Sequence, residues 1–134
     1  MLNSDFSTLN VLIVDDEPSM TRLLKMMLND LDVGVILTAK DGCDALDMLG
    51  RLRDPVDVII CDWNMPRMSG LELLKRIREV DSQVPFIMLT GRADLDSVVA
   101  ARDSLVSAYL LKPFSPQVLE SRLAKVTKRA LEAA

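Results

Sequence analysis

Asp15-Asp16, Asp62, Thr90 and Lys112 each stand just past a short, mostly apolar run: Val11–Val14, Val56–Cys61, Phe86–Leu89 and Ala108–Leu111. Three carboxylates, one hydroxyl and one ammonium could handle a divalent cation and a phosphoryl group together. Crowded carboxylates repel, burial raises that cost, and a bound cation relieves it. An all-oxygen donor set without thiolate or imidazole selects a hard ion, which points to Mg²⁺, with Mn²⁺ as a substitute. Asp62 is the best nucleophile candidate, because a carboxylate can attack a phosphoryl group to form an acyl phosphate. Catalysis in such a pocket is mainly positioning and charge neutralisation, with the metal, Lys112 and the Thr90 hydroxyl each on one phosphoryl oxygen. Taken singly, a strand-end Asp is more often a turn or cap residue, and a lone Thr or Lys is more often merely solvated. All five, however, fall at the ends of such runs, which sets them apart from solvated residues scattered singly.

They share a pocket only if the runs are parallel strands. Short apolar runs, several of them β-branched, recur near 10–14, 33–38, 56–61, 85–89 and 107–111, and the segments between them have helical periodicity. The first helix takes Pro18 in its first turn and sets Met20, Leu23, Leu24, Met27, Leu28 and Leu31 on one face. A weaker second helix, about 43–52, carries Ala45, Leu49 and Leu52. The third begins at Ser69, with Glu72 at capping-box spacing, and continues through Leu74, Ile77 and Val80. A fourth is predicted over 94–104, on Leu95, Val98 and Val99. The fifth opens with Ser115-Pro116 and lines its inner face with Leu119, Leu123, Val126 and Ala130. Five strands alternating with five helices predict an α/β fold: a doubly wound, five-stranded parallel sheet in the order 2-1-3-4-5, covered on both faces. Ligands of such sheets bind at the carboxyl ends of the strands, at the switch point, here between strands one and three.

Composition removes other classes. The 134 residues match one domain able to bury roughly 68% of its unfolded surface. No run approaches the ~18 apolar residues of a membrane span, and the first ten residues do not resemble a secretory signal, so a cytoplasmic protein is expected. A net charge of −4 argues against direct nucleic-acid binding. The chain has no histidine, which excludes histidine zinc sites, Ser-His and Cys-His nucleophile pairs, and a role as histidine phosphodonor. Cys43 and Cys61 fit no ligand or disulfide spacing; Cys61 reads as a small buried hydrophobe and Cys43 has no assigned role.

The segments Val11-Leu-Ile-Val-Asp-Asp-Glu-Pro18, Ile60-Cys-Asp-Trp-Asn-Met-Pro-Arg-Met-Ser-Gly70, Leu89-Thr-Gly91 and Leu111-Lys-Pro-Phe114 resemble the receiver domain of two-component response regulators, with its flavodoxin-like (CheY-like) fold. The resemblance covers about residues 9–128, leaving 1–8 as an N-terminal tail and 129–134 as the end of helix five or the start of a linker. It implies a phosphorelay signalling switch and not a metabolic enzyme, with Asp62 accepting a phosphoryl group from a histidine kinase or phosphotransfer protein. Asp15, Asp16, Asp62 and the backbone carbonyl of Asn64 would hold Mg²⁺, and Thr90 and Lys112 would bind phosphoryl oxygens. The Lys112-Pro113 bond is expected to be cis. Thr90 and Tyr109 are the implied switch residues. They would alter a face of helix four, strand five and helix five that binds a downstream partner or a second copy. Asn64 and Arg92 would flank the path of the attacking water and modulate the phosphoryl lifetime. Trp63 is expected at the pocket rim, partly exposed.

Leu105-Val106 replaces the Gly-Ala that many receivers carry before strand five, either as local repacking or as an added apolar patch. A haloacid-dehalogenase-type hydrolase uses similar groups, but its nucleophile motif has a second Asp where this chain has Asn64, and the chain lacks room for a cap domain. A flavin or nucleotide module wants a glycine- or hydroxyl-rich loop after strand one, where Asp15-Asp16-Glu17 would repel phosphate. A receiver that is never phosphorylated and serves only as an interaction module is the remaining alternative.

Overall fold

Side chains along each central strand alternate between two apolar layers. The computed structural model describes residues 5–91 and 106–133, with side chains to 127. Its strands are β1 (Asn10–Val14), β2 (Val35–Ala39), β3 (Val58–Asp62), β4 (Phe86–Thr90) and β5 (Ala108–Leu111), all parallel, in the order β2-β1-β3-β4-β5. The helices described are α1 (Pro18–Asp30), α2 (Gly42–Arg51), α3 (Gly70–Val80) and α4 (Pro116–Ala133). The last of these is the fifth helix of the sequence reading. The helix expected over 94–104 lies outside the described residues, as do Leu105 and Arg92.

Val11, Ile13, Val58, Ile60, Ile87 and Leu89 face one layer, closed by Leu24 and Leu28 of α1 and by Leu119, Leu123 and Val126 of α4. Leu12, Val14, Ile59, Cys61, Phe86 and Met88 face the other, closed by Ala45 of α2 and by Leu73, Leu74 and Ile77 of α3. Burial on both faces explains why these runs are apolar without alternation. Capping follows the sequence: the Ser69 hydroxyl accepts from the Glu72 N–H (3.2 Å), Ser115 does so from Val118 (3.2 Å), and Pro18 occupies the first turn of α1.

Several expectations need correction. The second strand begins at Val35, not 33, because Val33 and Gly34 form the turn against Phe6: the Gly34 N–H donates to the Phe6 carbonyl, and a Cβ on Gly34 would lie 2.2 Å from the Ser7 carbonyl oxygen. Phe6 itself, within the segment read as a tail, is buried in the first layer. Leu23 of α1 and Val80 of α3 are exposed, Val80 by 89%. Val80 closes the final turn of its helix, and periodicity alone does not show where the covering elements stop. Val106 packs half-buried against the second layer. No helix among the described residues is long and apolar enough to cross a membrane.

Candidate functional site at the carboxyl ends of the strands

Strand register brings the sequence-distant polar residues together. Val14 of β1 pairs with Cys61 of β3, so Asp15 and Asp62 follow at the same level on adjacent strands. Asp62 pairs with Leu89, and Thr90 with Leu111, which sets Thr90 one residue and Lys112 two residues further along. Adjacent strands lie about 4.8 Å apart, within reach of a single ion or phosphoryl group. The Lys112 Nζ donates to Asp62 Oδ1 at 2.7 Å, and carboxylate oxygens of Asp15, Asp16 and Asp62 all lie within 4.8 Å of one another. Asp15, Asp62 and Thr90 are buried, while Asp16 is exposed. The Thr90 carbonyl accepts from the Lys112 N–H (2.8 Å), tying β4 to the residue that reaches Asp62, and the Lys112-Pro113 bond is cis.

The charges in this pocket are not balanced by protein alone. Burial is the main influence on Asp15 and raises its pKa from an ordinary 3.8 to about 6; the Glu17 N–H on Oδ1 (2.9 Å) opposes the rise, and the Asp62 charge adds to it. Burial works against the charge on Lys112, but the Asp62 hydrogen bond and the charges of Asp62, Asp15 and Glu17 outweigh it and hold the pKa above its ordinary value. The second oxygen of Asp15, Oδ2, is buried and makes no hydrogen bond. A buried carboxylate oxygen without a partner is unfavourable, and beside two more carboxylates it is a ready ligand for a hard cation. The donor set therefore fits Mg²⁺.

Other residues of the reading fall around this centre. Asn64 is exposed, two residues past Asp62. Tyr109 is half-buried against the second layer, and its carbonyl accepts from Arg122 Nε (3.0 Å). Beside it, a groove of about 460 Å³ runs between β5 and α4, with Leu111, Phe114 and Val118 in its lining. Trp63 is not partly exposed as expected: it is 8% exposed in the second layer, because the chain turns inward after β3, its N–H bonded to the Leu89 carbonyl (3.0 Å) and its carbonyl to the Gly70 N–H (2.8 Å). Cys61 is buried, which pushes its thiol pKa up, and Cys43 is exposed.

Residues near the site that the sequence reading did not single out are Gly70, Asp41 and Arg67. A Cβ on Gly70 would lie 2.4 Å from the Asp62 carbonyl oxygen, so α3 starts directly against the backbone of the acidic strand end. Asp41, 4% exposed, caps α2 by accepting from the Asp44 N–H (2.8 Å) and also accepts from Arg67 (3.2 Å). A signal for Asp41 was present: an Asp-Gly pair just past the second apolar run, with Asp44 at capping distance.

The model of the response regulator receiver domain matches residues 11–124. A chemotaxis protein CheY homolog of Campylobacter jejuni is 40% identical over 120 residues, covering 88% of this chain and 92% of the homolog. The chemotaxis protein CheY of Pseudomonas aeruginosa is 37% identical over 123 residues, covering 90% and 98%. Among solved structures, a response regulator receiver domain protein from Clostridium thermocellum superposes with a TM-score of 0.86 at 28% identity, covering 94% of this chain and 99% of that one. The chemotaxis protein CheY4 of Vibrio cholerae gives 0.81 at 33% identity, covering 88% and 98%. With these matches on a parallel sheet whose mouth gathers Asp15, Asp16, Asp62 and Lys112, the chain belongs to the response regulator receiver domain family.

Proposed function

We propose that the protein is a cytoplasmic phosphorelay switch in which Asp62 accepts a phosphoryl group from the phosphohistidine of a kinase or phosphotransfer protein. The observation that carries this reading is the Lys112 ammonium 2.7 Å from Asp62, in a pocket where Asp15 has an unsatisfied buried oxygen. An Asp62 oxygen attacks phosphorus, the donor's N–P bond breaks, and the imidazole nitrogen leaves with the electron pair and takes up a proton. Attack of water on phosphorus later breaks the acyl P–O bond, releasing inorganic phosphate and restoring the carboxylate. Mg²⁺, or Mn²⁺ in its place, held by Asp15, Asp16, Asp62 and the Asn64 carbonyl, supplies neutralisation of phosphoryl charge.

Lys112 moves its ammonium from Asp62 to a phosphoryl oxygen as the acyl phosphate forms, acting as a compact point charge. The Thr90 hydroxyl binds another phosphoryl oxygen. Its shift lets Tyr109 turn inward, and the face of β5 and α4, with the preceding segment, changes its affinity for a downstream partner or a second copy. Asn64 and Arg92 modulate the phosphoryl lifetime. Acetyl phosphate with Mg²⁺ tests the reading: wild type gains the mass of one phosphoryl group, and Asp62→Asn gains none. Equal labelling of the two proteins rules Asp62 out as the acceptor.

A further inference from the structure

We infer that Arg67 is a positioning residue for the metal site: paired with Asp41, it latches the loop after Asp62 onto the start of α2 and holds the Asn64 carbonyl in place. This rests on the proposed role of that carbonyl as a ligand. Arg67 has a φ of 68°, a left-handed conformation that side-chain-bearing residues rarely adopt and that persists where the surroundings over-determine it. Here the surroundings are specific. One Arg67 guanidinium nitrogen donates to Asp41 Oδ2 at 3.2 Å, and the other oxygen of Asp41 accepts from the Asp44 N–H, so both oxygens of a buried carboxylate are used. The neighbouring Met68 is buried over Gly42, where a Cβ would lie 2.7 Å from its sulfur. Behind it, the Gly70 N–H closes the loop onto the Trp63 carbonyl.

Asn64 is exposed between these anchors and the end of β3, so the two ends of the loop set where its carbonyl lies. The end of β2, which leads into this connection, also braces the opposite side of the site. The Ala39 carbonyl accepts from the Asp15 N–H at 3.1 Å, two residues before Asp41. Residues 39–42 thus bridge Asp15 and the Asn64 loop. Groups that orient ligands without touching the ion tune affinity by about ten- to a hundredfold, and an exposed guanidinium belongs at the low end.

The test is Mg²⁺ titration by calorimetry on wild type, Arg67→Asn, Arg67→Lys, Asp41→Asn and the double variant Arg67→Asn/Asp41→Asn. Asn tolerates the left-handed backbone at 67 and keeps a capping acceptor at 41. Arg67→Asn and Asp41→Asn should each weaken Mg²⁺ binding about tenfold. The double variant should be no weaker than either single one, and Arg67→Lys should recover most of the loss. The metal-free melting temperature of Arg67→Asn should fall by no more than a few degrees and recover in Arg67→Lys, since Asp41 is buried but the guanidinium end of the pair lies in solvent. Wild-type binding with Arg67→Asn binding equally well overturns the latch alone. A large fall in the metal-free melting temperature of Arg67→Asn, unrecovered in Arg67→Lys, reduces Arg67 to a structural part and also overturns it. Wild type that binds no Mg²⁺ removes the metal reading and this inference with it.

Discussion

From Val11 to Val14, Val58 to Cys61 and Phe86 to Leu89, the central strands bury apolar side chains alternately into two layers; one residue further on, they bury Asp15, Asp62 and Thr90. In the first region local propensity, hydrophobic pattern and packing all favour the same structure, which makes a sheet stable and unique. In the second the same backbone carries charge into a place that penalises it. Lys112 compensates Asp62, but Asp15 keeps an oxygen without a partner and a pKa near 6. The difference shows where stability is given up for chemistry. The sheet satisfies its own groups, whereas its mouth gathers three carboxylates around one buried oxygen without a hydrogen bond.

Breaking the sheet side of this contrast should have the larger effect. Phe86, fully buried in the second layer, leaves a cavity when truncated; Phe86→Ala should lower stability by about 3–5 kcal/mol in denaturant unfolding, and a loss under about 1 kcal/mol would mean the layer is loosely packed. Gly70→Ala probes the seam between the two regions. Its added methyl meets backbone that cannot yield like a flexible side chain, so a loss of about 1–3 kcal/mol is expected, together with weaker Mg²⁺ binding as Asp62 is displaced. Unchanged stability and unchanged binding would show that α3 is free to shift away from the strand end.

The smallest effect is expected at the mouth and carries the opposite sign. Asp15 has a folded pKa of about 6, above its ordinary 3.8. The native state therefore binds the extra proton, and this contribution to stability is fully present below about 3.8 and lost as pH rises through about 6. Asp15→Asn should remove that slope and make the metal-free protein slightly more stable than wild type at neutral pH. Mg²⁺ should then stabilise wild type and have little effect on the variant. Thermal melts from about pH 4 to 7, with chelator and with Mg²⁺, check this. Parallel curves for the two proteins across that window would show that Asp15 is not held under strain.

Much of the sheet was legible because burial on both faces leaves a plain mark, a short continuous apolar run, and the five polar residues stand where such runs end. The helix faces were less legible. Periodicity groups Leu23 with Leu24 and Leu28, and Val80 with Ile77, yet Leu23 and Val80 lie in solvent, since period defines a face and not the extent of what covers it. Trp63 looked like a rim residue because its polar neighbours Asp62 and Asn64 flank it. Its burial follows from the inward turn secured by Gly70 at the start of α3 and by Leu89, which is distant in sequence. The Arg67–Asp41 pair, separated by 26 residues, has no periodic signature at all.

By itself the sequence determined the alternation of strands and helices, the parallel order, and which five residues would meet, because those follow from local patterns and from the few topologies open to right-handed crossovers. Tertiary structure decided what those residues experience. Only strand register sets Asp15 level with Asp62, only packing leaves Asp15 Oδ2 without a partner, and only the fold of the loop brings Arg67 to Asp41. Charge, burial and distance are properties of neighbours in space, and a linear pattern does not encode them.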